Sequence, residues 1–331
     1  MRTPRPAPGQ LDLFASPTPP TAEPSPLQAR FAGLAPIAAR LPPFIRFGTS
    51  SWSFPGWAGI VYEPGRSEAA LARDGLRDYV RHPLLRTVGI DRGYYAALQR
   101  DDLERYAAQL PAGFPCCSKV PSYYTTPIHL GRGSGPRGAP NPAFLDATRF
   151  GDEVVQPALS VFADHLGPLI LEFPALPRAY RLDPGPFLDR LEAFLESLPA
   201  GLPVAVELRD QRLLSTDYCA LLARRRVAHV YNYWSDMPMP AEQAAVVPIA
   251  SMPFFVARLM LRPGTRYEQR KRSFAPFDRL LDPDDTMRAQ LVSMLGTCAD
   301  LGRSAFVLVN NKAEGSAPLT IEAIASSLAA R

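Results

Sequence analysis

Cysteine is scarce in this chain of 331 residues. The four cysteines are Cys116, Cys117, Cys219 and Cys298, and none of them has the Cys-x-x-Cys spacing of a metal site or a redox pair. So few cysteines in so long a chain exclude a secreted scaffold stapled by disulfides and favour a reducing compartment. We therefore expect a cytoplasmic protein.

Histidine is equally scarce, and the four histidines are scattered at His82, His129, His165 and His229. A barrel enzyme built on several transition-metal ions needs imidazoles and carboxylates at ligand spacing, and that pattern is missing. The sequence requires no cofactor. A single Mg²⁺ ion held by carboxylates remains open, because carboxylates are plentiful.

Long apolar runs are also missing. No segment approaches the roughly 20 apolar residues that a membrane-spanning helix needs, and the first eight residues lack the apolar stretch of a signal peptide. Hydrophobic residues make up 47% of the chain, which is enough for a large core. The formal net charge of +4 is too small to establish or exclude a nucleic-acid partner.

Proline, by contrast, is concentrated near the N-terminus. Residues 1–43 contain 11 of the 37 prolines, and such a segment is a poor former of helices and of a packed core. The composition therefore predicts a disordered tail over residues 1–43, followed by one globular domain over residues 44–331.

An isolated apolar cluster lies within this tail. Its sequence, Gln-Leu-Asp-Leu-Phe, resembles at every position the pentapeptide by which bacterial replication and repair proteins bind the DNA polymerase sliding clamp. From average residue usage, such a string arises by chance in on the order of one chain in a few thousand. A peptide that orders on binding inserts its apolar side chains into a groove of the partner. The resemblance implies a sliding-clamp partner for Gln10, Leu11, Asp12, Leu13 and Phe14.

From Phe44 onward, short β-rich runs alternate with amphipathic stretches, which is typical of βα units around a parallel sheet. Eight parallel strands close a TIM-type (β/α)₈ barrel of the α/β class. The clearest predicted helices are at 184–198, 216–226, 284–301 and 320–330, with Ser215 or Thr216 as the N-cap of the second, and the helix after the sixth strand is poorly marked. Eight strands are predicted, at 44–48, 85–90, 114–120, 168–173, 203–208, 227–231, 254–258 and 304–309.

The first predicted strand runs into a family motif. Residues 46–57 read Arg-Phe-Gly-Thr-Ser-Ser-Trp-Ser-Phe-Pro-Gly-Trp and resemble the opening motif of the YecE-like family of unknown function. The resemblance spans residues 44–331 and implies a TIM-type barrel, but it implies no reaction because the family's activity is not established. Similar family segments follow other strands at Lys119-Val120-Pro121, Glu172-Phe173-Pro174, Glu207-Leu208-Arg209 and Asn310-Asn311.

The second strand departs from the family pattern. Relatives read Val-Glu-Ile-Asn-Ser-Thr-Phe-Tyr where residues 88–95 read Val-Gly-Ile-Asp-Arg-Gly-Tyr-Tyr. Gly89 stands in place of the usual glutamate, and Asp91 replaces an amide. A mechanism that relies on that glutamate therefore does not carry over to this chain.

Active sites of such barrels lie at the C-terminal ends of the strands. The charged strand-end residues form the catalytic candidates, because arginine suits a phosphate or carboxylate and a carboxylate can act as a general base. Residues two apart on a strand share a face, so one Glu–Arg pair should project together into the barrel mouth. The alternative is an ion network that only seals the barrel. The candidates are Glu207, Arg209, Lys119 and Asp91.

Aromatic and polar side chains also follow the strands. Rings at a barrel mouth suit the stacking of bases or sugar faces, although some of these rings could instead cover the core. The predicted substrate-binding residues are Trp52, Trp57, Tyr95, Glu172, Trp234, Arg258, Asn310 and Asn311.

The loop after the seventh strand is basic. Loops after strands seven and eight are frequent phosphate sites in this fold, although a run of charges is more often only a solvated surface. The predicted phosphate or nucleic-acid contacts are Arg266, Arg270, Lys271 and Arg272, and the loop after the third strand adds Arg132 and Arg137.

Together these patterns favour an enzyme tethered to the sliding clamp that acts on nucleic acid or on a phosphate ester, as a hydrolase or phosphodiesterase. Two alternatives stay open, because fold does not choose among them. One is a non-catalytic nucleic-acid-binding barrel, and the other is an enzyme acting on a small sugar or acid.

Overall fold

The structure is a computed structural model that describes residues 23–129, 131 and 135–331. The pentapeptide at residues 10–14 and Arg132 therefore lie outside the described residues.

Eight parallel strands form the centre of the fold. In the sheet they are hydrogen-bonded in the order β1-β8-β7-β6-β5-β4-β3-β2. All eight predicted strands are confirmed, with ends that differ by three residues or fewer. The strands are β1 Ile45–Thr49, β2 Val88–Ile90, β3 Cys116–Lys119, β4 Leu166–Phe173, β5 Val204–Leu208, β6 Ala228–Tyr233, β7 Phe255–Leu259 and β8 Ala305–Val309.

The barrel closes between β1 and the segment that leads into β2. The backbone N–H groups of Arg86 and Thr87 donate to the carbonyl oxygen of Phe47, at 2.8 and 3.2 Å. Gly48 permits this approach, because a Cβ at that position would lie 2.1 Å from the carbonyl oxygen of Thr87. The closed ring of parallel strands confirms the predicted TIM-type (β/α)₈ barrel.

Helices surround the barrel, and all four clearly predicted helices are present as α8, α9, α12 and α13. Ser215 is the N-cap of α9, as expected, and its hydroxyl accepts from the backbone N–H of Tyr218 at 3.2 Å. The poorly marked helix after β6 is α10. Within the described ranges, no helix has the length and apolar character needed to cross a membrane. The helices are α1 Pro26–Arg40, α2 Glu68–Asp74, α3 Leu76–Tyr79, α4 Arg100–Ala107, α5 Ala147–Phe150, α6 Gln156–Val161, α7 Arg178–Leu182, α8 Gly185–Glu196, α9 Thr216–Arg225, α10 Pro240–Val246, α11 Tyr267–Phe274, α12 Asp285–Asp300 and α13 Ala317–Ala329.

Helix α1 corrects the prediction of a disordered tail that reaches residue 43. Ser25 and Gln28 form a capping box at its start, and Pro26 occupies the first turn, where its missing N–H costs nothing. Leu27 and Leu34 are buried, and Arg30 pairs with Glu322 of α13 at 2.6 Å. The globular unit therefore includes α1. The proline count was misleading because prolines at a helix start and after a helix end are compatible with the helix between them, and the internal proline, Pro36, does not end α1.

The barrel interior is filled by a layer of apolar side chains. The six members of this layer form a separate apolar cluster from those that pack between the sheet and the helices. Because side chains on a strand alternate between faces, the residue two positions further along each strand also points inward, but nearer the C-terminal end. The layer consists of Cys117, Ile170, Ala205, Val230, Val256 and Leu308.

Candidate ligand-binding site at the barrel mouth

A ring of polar side chains lies above the apolar layer, one inward-facing position further along each strand. We call it the polar ring. Apolar residues give way to charges and amides at this level on six strands, and on β1 and β2 the same step leads from a glycine to a polar residue. The polar ring consists of Ser50, Asp91, Lys119, Glu172, Glu207, Asn232, Arg258 and Asn310.

Arg258 is the centre of the polar ring and is fully buried. Its guanidinium donates to Glu172 at 2.8 Å, to Asp91 at 3.2 Å and to Glu207. Burial alone would lower the pKa of this guanidinium, but attraction to the carboxylates of Glu207, Asp91 and Glu172 outweighs it, so the pKa is raised above its usual value. Arg258 therefore stays charged and holds three strands together electrostatically.

Glu172 collects three cations. Lys119, Arg209 and Arg258 approach one of its carboxylate oxygens at 3.0, 2.9 and 2.8 Å. Burial would raise the pKa of this carboxyl group, but attraction to Arg209, Lys119 and Arg258 lowers the pKa well below its usual value. Glu172 is therefore ionised at every physiological pH and does not serve as a proton donor.

Glu207 and Arg209 meet inside the mouth, at 2.6 Å. Glu207 is fully buried and also accepts from Arg258, so both of its oxygens face arginine. The amide of Asn232 lies 3.5 Å from the carboxylate of Glu207 and donates more closely, at 2.7 Å, to the carbonyl oxygen of Leu208. Glu207 thus has no direct path to solvent, whereas the side chain of Asp91 is 30% exposed.

Arg209 is only partly satisfied by its neighbours. One terminal nitrogen, Nη2, donates to both Glu172 and Glu207, and the guanidinium stacks on the ring of Trp234 at 3.8 Å. The other two nitrogens, Nε and Nη1, are buried and have no partner within the described part of the chain. Buried donors of this kind are rare in native proteins, and the unpartnered N–H groups of Nε and Nη1 leave Arg209 with hydrogen bonds to offer an anionic oxygen.

A cleft of about 690 Å³ adjoins Arg209 on the rim of the mouth. The loops after β5 and β6 form its walls, and they present Asp210, Arg212 and Ser235 to the cleft. A ligand lodged there lies beside Arg209 and outside the sealed ion pairs of the polar ring.

Lys312 is a mouth residue that the sequence analysis missed. Its side chain is 7% exposed, and its ammonium lies over the ring of Tyr267 at 4.4 Å. Burial, followed by repulsion from Lys271, lowers its pKa to about 8. Its position three residues past the end of β8, next to the Asn310-Asn311 family segment, was the available clue, because loops at this end of the fold are frequent ligand sites.

The two asparagines after β8 organise the backbone. The side-chain oxygen of Asn310 accepts from the backbone N–H of Lys312 at 3.1 Å. The side-chain oxygen of Asn311 accepts from the indole N–H of Trp57 at 3.2 Å and from the backbone N–H of Ala317 at 2.8 Å. These bonds fix the segment that carries Lys312.

The predicted aromatic residues fall into two groups. Trp52 and Trp57 are buried among the protein's own side chains, and the indole N–H of Trp52 donates to the carbonyl oxygen of Leu71 at 3.0 Å. A ligand would reach these rings only if the covering residues moved. Tyr95 is 82% exposed and Trp234 is half-buried beside Arg209, so these two rings are available at the rim.

The basic loop after β7 contains α11, and its cations have different environments. Arg266, Lys271 and Arg272 are exposed. Arg270 is buried, pairs with Asp282 and donates to the carbonyl oxygen of Ala313 at 3.0 Å. Arg270 therefore fastens α11 to the segment after β8, and the three exposed cations are the ones available to phosphates.

Within the ranges that the structure describes, no group of three or more histidine, cysteine or acidic side chains is arranged to hold a metal ion. Each carboxylate of the polar ring is bonded to a cationic side chain, so a Mg²⁺ ion at this position would have to displace arginine.

His229 is fully buried between Tyr218 and Gln243, and burial lowers its pKa to about 4. It serves as a neutral hydrogen-bonding residue.

Gly89 accounts for part of the departure from the family pattern. A Cβ at this position would lie 3.0 Å from the Cα of Ser50 and 3.1 Å from the carbonyl oxygen of Thr49, so a larger residue would require the chain at the end of β1 to shift by a few tenths of an ångström. Asp91 lies two residues further along the same face of β2 and supplies a carboxylate to Arg258. The acidic group of β2 is thus moved by one inward-facing position toward the mouth.

An eight-stranded parallel barrel with a charged ring at the C-terminal ends of its strands defines a (β/α)₈ protein, a class in which ligand sites lie at the barrel mouth. The chain belongs to the DUF72 family, described as a protein family of unknown function, which matches residues 46–331. This confirms the YecE-like resemblance of the opening motif.

Two solved structures of this family have the same fold. A DUF72 family protein from Thermotoga maritima MSB8 is 18% identical, with 86% of this chain and 98% of that chain covered and a TM-score of 0.60. A DUF72 family protein from Enterococcus faecalis V583 is 15% identical, with 85% and 95% covered and a TM-score of 0.59. No curated protein is significantly similar to the chain.

Proposed function

We propose that the barrel mouth binds a phosphate-bearing ligand, either a nucleic acid or a phosphate ester, and acts on it as a hydrolase or phosphodiesterase. The observation that carries this proposal is the pair of buried, unpartnered nitrogens on Arg209. A buried donor without a partner costs about 1–3 kcal/mol, which an anionic oxygen would recover. An anionic oxygen is a strong acceptor for the N–H groups of a guanidinium, so the two unpartnered nitrogens indicate an anionic ligand such as a phosphate.

The charge balance of the mouth supports an anion. Three carboxylates, those of Asp91, Glu172 and Glu207, face four cations, because Lys312 adds to the three cations that the carboxylates bind directly. The cations in this set therefore outnumber the carboxylates by one. The four cations are Lys119, Arg209, Arg258 and Lys312.

The rim offers further contacts to a ligand that is larger than one phosphate. Lys271 interacts electrostatically with Lys312, which places the exposed face of α11 beside the mouth. Tyr95 and Tyr267 are exposed aromatic residues that also interact electrostatically with each other. Basic side chains interleaved with aromatic rings are typical of surfaces that bind single-stranded nucleic acid.

Asp91 is the carboxylate that we assign as the general base. Its side chain is the most exposed of the three in the polar ring, at 30% against 13% for Glu172 and 0% for Glu207. A general base must reach the water or hydroxyl group from which it takes a proton. Glu207 then has the supporting role of holding Arg209 and Arg258 in position.

The non-catalytic alternative is favoured by a different observation. All three carboxylates of the polar ring are ion-paired, which lowers their availability as bases. A binding barrel would show affinity for nucleic acid without turnover. An enzyme acting on a small sugar or acid would not bind nucleic acid. Measuring affinity against oligonucleotide length therefore distinguishes the binding barrel from the small-molecule enzyme.

We also propose that the N-terminal pentapeptide tethers this barrel to the DNA polymerase sliding clamp. The support is its sequence, Gln10 to Phe14, which fits the clamp-binding pattern at every position. It is followed after residue 25 by α1, which is packed on the barrel. A tether of this kind would raise the local concentration of the barrel at replication or repair sites.

The proposal is tested by measuring binding of fluorescein-labelled oligonucleotides and of a nucleoside monophosphate to the full chain and to Arg209→Lys. The variant keeps the charge but loses the fork, so we expect affinity to fall about tenfold or more. Arg212→Lys is the matched control, because Arg212 lines the same cleft with a side chain that is 58% exposed. Equal losses in both variants, or no binding by the wild type, would contradict the proposal.

A further inference from the structure

Lysine is confined to the barrel mouth. Of the 36 lysines and arginines in the chain, only three are lysines. Lys119 ends β3, Lys271 lies in α11 after β7, and Lys312 follows β8. Every other basic position is arginine, including all those on the outer helices. Arginine stays protonated and does not act as a nucleophile, whereas a lysine amine can lose its proton and react. The three positions that retain lysine are therefore the place to look for amine chemistry.

The three lysines have different environments. Lys119 pairs with Glu172 at 3.0 Å and lies over the ring of Tyr94 at 3.8 Å, so a carboxylate and an aromatic face both contact its side-chain nitrogen. Lys271 is exposed on α11. Lys312 has a side chain that is more than nine-tenths buried, and none of the carboxylates in the described ranges lies within 4.0 Å of it. It is the lysine whose surroundings disfavour the charged form.

The groups around Lys312 come from two elements. Tyr267, Glu268 and Lys271 face it from α11, and Asp91 faces it from the end of β2. Burial and Lys271 oppose protonation, Asp91 and Glu268 favour it, and the result is a pKa of about 8. At neutral pH about one-tenth of such amines are uncharged, compared with fewer than about one in a thousand for an ordinary lysine.

The backbone that carries Lys312 is fixed. Its N–H donates to Asn310 at 3.1 Å, and its carbonyl oxygen and that of Ala313 accept from Arg270 at 3.4 and 3.0 Å. A buried, positioned amine beside a second cation is the arrangement that activates lysine as a nucleophile in enzymes.

We propose that Lys312 is a nucleophilic amine that forms a Schiff base with an aldehyde or ketone carrying a phosphate group. The neutral nitrogen bonds to the carbonyl carbon. The carbonyl oxygen then leaves as water with both hydrogens of the amine, so that a C=N bond replaces the C=O bond and no redox partner is needed. The phosphate part of the ligand rests on the proposed function, with Lys271 as the neighbouring cation.

The test uses the full chain, glyceraldehyde 3-phosphate and sodium cyanoborohydride, with the adducts located by peptide mass spectrometry. Three lysines and the N-terminal amine give four separable sites. At pH 7 we expect Lys312 to be labelled at least about tenfold faster than exposed Lys271, with a rate that rises with pH and levels off above about 8. Inorganic phosphate should slow this labelling.

Two matched variants complete the test. Lys312→Arg should lose the adduct and keep the melting temperature, and Lys271→Gln should slow the labelling of Lys312, because it removes the neighbouring positive charge that lowers the pKa of Lys312. Labelling of Lys312 no faster than Lys271, or a rate that still climbs at pH 10, overturns the Schiff-base inference even if oligonucleotides bind. Fast labelling that is equal with unphosphorylated glyceraldehyde and unaffected by phosphate overturns the phosphate assignment at Lys312 and leaves the reactive amine standing, whereas the proposed function fails separately if neither the oligonucleotides nor the nucleoside monophosphate bind.

Discussion

Glu207 and Arg258 form an ion pair inside the barrel with both side chains withdrawn from solvent. They lie on β5 and β7, on either side of Asn232 of β6. Removing either partner leaves the other as a buried charge with one counterion fewer, so each side chain depends on the other for its stability in the interior.

Replacing Glu207 with Gln should therefore lower the free energy of unfolding by roughly 3–5 kcal/mol, because the amide keeps the volume but leaves two arginines short of a counterion. Urea unfolding measures this change. Glu196→Gln is the control, since its side chain is 63% exposed and its pair with Arg225 should be worth less than about 1 kcal/mol. A stable Glu207→Gln protein that has lost turnover would instead assign Glu207 to the chemistry.

Asp91→Asn should act on turnover more than on stability. Removing a general base typically lowers a rate by about 10²–10⁴-fold, whereas one partly exposed contact to Arg258 contributes little to folding. Hydrolysis of a phosphodiester by the variant and the wild type, followed at equal folded concentration, gives the comparison. Unchanged turnover removes Asp91 from the mechanism.

The rim of α11 should contribute to binding through its exposed cations alone. Changing Arg266, Lys271 and Arg272 together to Gln should reduce the slope of log affinity against log salt by about 2–3 for a nucleic-acid ligand, at about 0.7–0.9 for each lost contact. The melting temperature should not change. Arg270→Gln should lower the melting temperature, because it frees α11 from Asp282 and Ala313. An affinity independent of salt in the wild type would exclude this electrostatic mode.

Truncation should lower the stability of the protein only when it removes residues after residue 23. A chain that starts at Phe44 lacks α1 and exposes the barrel surface on which Leu27 and Leu34 pack. The lost burial should lower the free energy of unfolding by about 1.5–3 kcal/mol for each fully buried leucine. A chain that starts at residue 23 keeps these contacts. Thermal unfolding of both chains decides, and equal melting temperatures would mean that α1 contributes no stability.

Clamp binding is a separate property of the same region. Replacing Leu13 and Phe14 with Ala should abolish binding to the sliding clamp, because both side chains would fill the partner's groove. The melting temperature of the barrel should stay the same. Surface plasmon resonance on immobilised clamp provides the measurement, and equal binding by variant and wild type would refute the tether.

The fold was predictable because its strands are short and apolar, and because residues 46–57 match a specific family motif. The start of the globular unit was not, since proline count ignores position, and Pro26 lies where a helix accepts proline. The face to which Trp57 points also could not be read from the sequence, because a ring that follows a strand can turn outward to the helices. Lys312 was missed because its burial, which shifts its pKa, exists only in the folded chain.

The polar ring has one further consequence. Each of its carboxylates is already bonded to a cation before any ligand arrives, so its charges form a fixed electric field above an apolar floor. In water, solvent dipoles must rotate to stabilise a developing charge, and that rotation accounts for much of the barrier. Here the dipoles were oriented when the chain folded. In the proposed reaction, a charge that develops over Arg209 meets charged groups that are already in place. The rigidity of the barrel would then contribute directly to lowering the barrier.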